Sequence, residues 1–129
     1  MNDDERRRAG TRVRRQILGD AHVERAHAAT NALTAEFQDL ITRYAWGEIW
    51  TRPGLDRKTR SCITLTALVA LNRPEELEMH LRAALRNGVT TEEIREVLLH
   101  CAVYCGVPAA NGAFAIARRV LEESAEARE

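Results

Sequence analysis

On a helix, Arg73, Glu76 and His80 fall at i, i+3 and i+7 and share one face, inside the stretch LNRPEELEMHLRAALRNGVT at residues 71–90. A carboxylate one turn before an imidazole favours the imidazolium and fixes the ring's orientation. A proton donor working near neutral pH requires both. Glu-x-x-x-His also occurs on solvated helix faces, so spacing leaves both readings open. A second cluster, WGEIWTRPGLDR, brings together Trp46, Glu48, Trp50 and Arg52, and holds both tryptophans of the chain. Indoles seek an apolar pocket and a partner for N–H, so this stretch can wall a pocket or serve as a structural hinge. Arg52, Arg57 and Arg60 follow closely, and a planar guanidinium matches a carboxylate's geometry.

Other chemistries are disfavoured. Cys101 and Cys105 lie four apart near the C-terminal end of a predicted helix, where the helix dipole opposes a thiolate. The chain has three cysteines and no C-x-x-C, which indicates reduced thiols packed in a core. His22 and His27, with Glu24 between them, match no zinc spacing. No Gly-rich phosphate loop, G-x-S-x-G elbow or cofactor fingerprint is present, so neither a metal nor a cofactor is expected.

Helices must position these residues. Apolar residues make up 45% of the 129-residue chain and aromatics only 5%, with alanine and leucine dominant, which favours helix packing. The expectation is an all-α single domain over residues 1–129, a bundle of about six to seven helices with its core over about 15–123. Residues 2–17 read as an arginine-studded helix interrupted by Gly10, and Asp20 reads as the N-cap of an alanine-rich helix. Phe37, Leu40, Ile41 and Tyr44 follow at helical spacing, giving way to an aromatic loop before Pro53. Asp56 can cap the next helix, whose apolar run from Ile63 to Leu71 predicts burial on nearly every side. A helix over about Pro74–Arg86 stops at Asn87-Gly88, and Leu77, Leu81, Ala84 and Leu85 form its core face. Thr90 or Thr91 caps the following helix, with Ile94, Val97, Leu98, Cys101 and Ala102 turned inward. The last helix spans about Ala109–Glu123, with Phe114, Ile116 and Val120 inside and a frayed polar tail beyond.

Lys+Arg and Asp+Glu balance at 19 each, which argues against a nucleic-acid partner. The arginines near the N-terminus then read as a solvated or subunit-contacting face. No window reaches the roughly 18 apolar residues of a membrane span, and MNDDERRRAG does not resemble a signal peptide, so a cytoplasmic protein is expected.

The blocks LGDAHVERA, FQDLITRYAWGEIWTRPGLDRKTR and NGVTTEEIREVLLHCAVYCGVPAANGAFAIA, with the His80 helix between them, resemble the stand-alone carboxymuconolactone decarboxylases of the β-ketoadipate pathway. The similarity covers about residues 15–120. The wider superfamily includes all-helical thiol peroxidases of the alkyl hydroperoxide reductase accessory type, which carry Cys-x-x-Cys-x-x-x-His. Here His80 matches that histidine, Arg73 and Glu76 stand where the cysteines would be, and Ser61 stands about where an upstream glutamate falls. The resemblance therefore implies decarboxylation of a small lactone dicarboxylate without a cofactor, as a step of protocatechuate catabolism, and not disulfide chemistry.

The roles follow from that implied reaction. His80 is the proton donor, oriented by Glu76, with Glu48 a second acid/base candidate. Arg52, and after it Arg73 or Arg60, hold substrate carboxylates, and Trp46 and Trp50 form apolar walls. His22 enters from another helix or a neighbouring subunit. Relatives form ring-shaped homo-oligomers, so a trimer or hexamer is implied. A paralogue acting on another lactone or as an antioxidant without Cys-x-x-Cys, and a non-catalytic helical assembly module, are the competing readings.

Overall fold

A computed structural model describes residues 1–128. It contains seven α-helices and one π-helical segment, and no strand among the described residues, in agreement with the all-α expectation. The helices are α1 (Asp3–Leu18), α2 (Asp20–Ala29), α3 (Ala35–Ile41), α4 (Arg57–Ala70), α5 (Pro74–Arg86), α6 (Thr91–Tyr104) and α7 (Val107–Arg128). The π segment, Thr42–Ile49, continues α3 without a break. The chain forms two compact units, residues 1–57 and 58–129.

In the first unit α1 is capped by Asn2, whose side chain accepts from the Glu5 N–H, and it carries Asp3, Asp4 and Glu5 in its first turn. Its buried stripe, Ala9, Val13 and Ile17, repeats every four residues. Gly10 does not interrupt this helix, contrary to the sequence reading. It is needed because the π segment crosses α1 there at backbone distance. A Cβ on Gly10 would overlap the Thr42 carbonyl and come within 3.0 Å of the Gly47 nitrogen, and a Cβ on Gly47 would overlap the Arg6 carbonyl. Gly19, not Asp20, precedes α2, and Asp20 is the first helical residue, where its charge suits the N-terminus.

The aromatic stretch expected to be a loop is instead the π segment, closed by the i→i+5 bond from the Trp50 N–H to the Ala45 carbonyl at 3.0 Å. Such wide turns are normally single bulges and concentrate at functional sites. Thr51 caps the end by donating its hydroxyl to the Gly47 carbonyl at 2.7 Å.

In the second unit, one stripe of α4, namely Ser61, Leu65 and Val69, is buried. Ile63 and Leu71 remain exposed, so the apolar run is not covered on every side. The helix ends with Asn72 in the left-handed region (φ 56), and the Arg73 N–H bonds back to the Leu68 carbonyl at 3.0 Å. Asparagine tolerates this conformation, and the sharp stop sets where α5 begins, with Pro74 in its first turn.

The boundaries of α5 match the sequence reading, and Leu77, Leu81 and Ala84 face the core, with Leu85 half-buried at its edge. Gly88, at φ +88, completes the stop, since the Val89 N–H reaches the Ala84 carbonyl at 2.9 Å and the Val89 side chain joins the core. Thr90 and Glu93 form a reciprocal capping box on α6. Ile94, Leu98 and Cys101 are buried on α6, and Ala113, Ala117 and Val120 meet them from α7.

Helix α7 runs beyond Glu123 to Arg128. Its buried stripe passes one position to the side of Phe114, which lines a surface groove with Ile94, Leu98 and Arg118 instead of filling the core.

The crossing of α1 and the π segment makes a direct prediction. Gly10→Ala and Gly47→Ala should each lose about 1–3 kcal/mol or more, because backbone must move to admit the methyl group. Gly112→Ala, on a helix position open to solvent, should gain about 0.5–1 kcal/mol. Urea denaturation of the three variants checks this, and wild-type stability in Gly10→Ala would refute the close crossing.

Candidate active site

The two clusters singled out in the sequence lie one in each unit. On α5, Arg73 is the N-cap residue, Glu76 sits in the first turn, and His80 follows one turn later on the same face. Arg73 and Glu76 are exposed, whereas His80 is half-buried beside the inward Leu77, Ala83 and Ala84. The imidazole therefore stands at the border of core and surface, neither sealed in nor fully solvated. The first-turn carboxylate is favoured where it stands by the helix dipole.

Two neighbouring features hold this helix. Ser61 is buried, and its Oγ accepts from Asn87 Nδ2 at 2.8 Å, tying α4 to the C-cap of α5. Arg60, one residue earlier, is half-buried on α4. The three cysteines are thiols and not disulfides, and burial pushes the Cys101 thiol up from its ordinary value, against a reactive thiolate.

In the first unit the π segment and the turn after it gather Trp46, Glu48, Trp50 and Arg52. The two indoles stack with centroids 5.3 Å apart and planes 29° apart, Trp46 buried and Trp50 above it. Trp50 lines a cleft of about 380 Å³ together with Arg12, Arg52, Leu55 and Arg57. Trp46 thus supports the wall and Trp50 forms it. Arg57 is held by Gln16 at 2.9 Å. Glu48 receives the Arg6 Nε–H at 3.1 Å and lies 4.0 Å from Arg52, so its carboxylate links α1 to the π segment and steadies Arg52. His22 is half-buried on α2, in that helix's first turn.

Arg12 escaped the sequence reading because it lies within a run of arginines. The fold separates them. Arg6, Arg7 and Arg15 pair with Asp3, Glu48, Asp4, Asp39, Asp20 and Glu24, whereas Arg12 turns to the Trp50 cleft with no carboxylate within 4.0 Å among the described residues. An α-helical period turns Arg12 away from Arg7, five residues earlier, and that was the available signal. No helix among the described residues is long and apolar enough to cross a membrane.

Residues 35–119 match the carboxymuconolactone decarboxylase family. A 4-carboxymuconolactone decarboxylase of Acinetobacter baylyi is 48% identical over 123 residues, covering 95% of this chain and 92% of that one. A nitrosuccinic acid decarboxylase of Metarhizium robertsii is 43% identical over 125 residues, covering 95% and 87%. A 48-residue sequence of a 4-carboxymuconolactone decarboxylase from Pseudomonas putida is 48% identical over its whole length, which is 37% of this chain.

The ion pairs around the first unit have a pH signature. Hydrogen bonds from Arg7 and Arg43 hold the Asp39 carboxyl down at about 2, against an ordinary 3.8. A depressed carboxylate stabilises the fold fully above its unfolded value and loses that contribution as pH falls through the folded one. Asp39→Asn should therefore flatten the acid limb of the thermal midpoint between pH 3.8 and about 2. Identical acid limbs in variant and wild type would show that the pair is silent.

Proposed function

The chain belongs to the carboxymuconolactone decarboxylase family, and from that premise we propose that it is a cofactor-independent carboxy-lyase converting 4-carboxymuconolactone to the β-ketoadipate enol-lactone. The observation that carries this reading is the near-full-length match to the Acinetobacter baylyi protein. We place it in the cytoplasm, in keeping with its unbridged cysteines, and as a ring-shaped homo-oligomer. The exposed apolar residues Leu99, Val103, Tyr104 and Val107 on the second unit support a covered surface.

The substrate's chemistry explains how side chains suffice. The departing carboxylate sits on a ring carbon joined through C=C to the lactone carbonyl. When that C–C bond breaks, its electron pair passes through the C=C into the carbonyl, and carbon dioxide leaves behind a dienolate. A proton delivered to the carbon next to the carbonyl restores the lactone and leaves the double bond shifted. The protein must hold the acetate arm, stabilise charge on the lactone oxygen and supply that proton.

His80 supplies the proton, as its half-buried position beside a first-turn carboxylate suits a group that must hold and release one near neutral pH. Glu76 orients it. Arg52 holds a substrate carboxylate, with Trp50 as the apolar wall against the ring and Trp46 behind it. Arg73 and Arg60 are the secondary carboxylate ligands, and His22 is a contributor from α2. Glu48, engaged by Arg6, steadies Arg52.

A second reading has its own support in the Metarhizium robertsii relative. Nitrosuccinate is also a dicarboxylate that carries its own electron sink, since a nitro group takes the charge left by carbon dioxide as a nitronate. The two readings share a mechanism and differ in the sink.

Loss of the butenolide absorbance of 4-carboxymuconolactone, compared with consumption of nitrosuccinate, decides between them, and a higher kcat/KM for the lactone is expected. His80→Ala should lower turnover by about 10²–10⁴-fold, the usual cost of a lost general acid. Near-wild-type turnover in a folded His80→Ala protein would remove the assignment. Glu48→Gln should raise KM with kcat changed less than about tenfold, and a loss as large as that of His80→Ala would make it an acid/base group.

A further inference from the structure

Arg14 is held differently from Arg7 and Arg15 on the same helix. Arg7 and Arg15 each meet carboxylates, Asp4 and Asp39 on the first, Asp20 and Glu24 on the second. Arg14 donates instead to two neutral oxygens, Gln38 Oε1 at 3.0 Å and Thr42 Oγ1 at 3.3 Å, and no carboxylate among the described residues lies within 4.0 Å of it. Its Nε is buried without a hydrogen-bond partner, and burial pushes the guanidinium down from its ordinary value with no acid acting the other way. A part-buried cation with only neutral partners has lost hydration without gaining a counter-charge, and that arrangement costs stability until an anion arrives.

Space for an anion adjoins it. Helices α1, α2 and α3 and the start of the π segment border a cleft of about 390 Å³, lined on the polar side by Arg14 with Thr11, Thr30, His27 and Asp39, whose carboxylate is already engaged by Arg7 and Arg43, and on the apolar side by Val23, Ala26 and Ala35. That size lies at the lower end of the roughly 300–1,000 Å³ typical of small-molecule sites. Each terminal nitrogen of Arg14 carries two N–H groups and uses one in the bonds above, so each keeps a second donor.

We infer that this cleft binds a short-chain carboxylate, its oxyanion on the two terminal nitrogens of Arg14 and its hydrocarbon against Val23, Ala26 and Ala35. The pair of nitrogens matches the bite of a carboxylate. A phosphate answers the charge but leaves the apolar wall uncovered. The inference is independent of the decarboxylase reading, because none of these side chains has a role there.

The test uses the full chain carrying Arg52→Ala, so that the carboxylate position proposed for the substrate does not contribute. Glutarate and inorganic phosphate are titrated separately at constant ionic strength while the thermal midpoint is followed. Glutarate should raise the midpoint saturably, and phosphate should do so more weakly. Adding Gln38→Glu puts a carboxylate where Arg14 now meets an amide oxygen. It should raise the ligand-free midpoint and weaken glutarate on the order of tenfold or more. Ala26→Leu, which fills the cleft without removing either Arg14 bond, should abolish the response. Turnover by the single Gln38→Glu variant should stay at the wild-type level, which shows that its fold is intact. No saturable response to glutarate, an equal response with and without Gln38→Glu, or phosphate matching glutarate would each overturn the proposal.

Discussion

Backbone meets backbone where α1 crosses the π segment, and the first unit is organised around that crossing. Gly10 and Gly47 each face a carbonyl of the opposing helix at a distance that excludes even a methyl group. Because the two elements lie so close, Arg6 reaches Glu48 and Arg14 reaches Thr42, and with it Gln38 on the adjoining α3. Arg12 is brought to the same cleft as Trp50 and Arg52. Two indoles four residues apart, Trp46 on the π segment and Trp50 at its end, stack with one buried and one facing the cleft. A larger residue at either glycine would move these side chains together.

The second unit solves a different problem, which is where α5 starts and stops. A left-handed Asn72 ends α4 and delivers Arg73 to the N-cap of α5, while Asn87 and Gly88 end α5 and the Asn87 side chain bonds it to Ser61. Between those stops, the phase of the helix is set by Leu77, Leu81 and Ala84 in the core, which leaves His80 half-buried at its edge. An imidazole in that position keeps access to a proton while its motion is limited by packing, as a proton donor requires.

Much of the second unit is legible in the amino-acid sequence itself. The limits of α5, the capping box on α6 and the inward residues of both follow from local rules, because proline, asparagine-glycine and Thr-x-x-Glu act within a few residues of themselves. What escaped depends on contacts distant in sequence. Gly10 looks like a helix breaker until its partner Gly47 is known, and the π segment looks like a loop because periodicity templates assume an α-helical turn. Ile63 and Phe114 have core-like composition but lie beside the buried stripe of their helices, a matter of phase that short apolar runs do not resolve. The pairing of one arginine with acids and of its neighbour with neutral groups is likewise a tertiary property.

The central claim is that the lactone accepts the electrons left by carbon dioxide and that a protein-held proton then closes the reaction. Running turnover in deuterium oxide and determining the configuration of the product at the carbon beside the carbonyl tests it most directly. Delivery from a fixed imidazole predicts one deuterium on a single face of that carbon. Equal labelling of both faces would mean that the dienolate is quenched by bulk solvent, and would contradict the account.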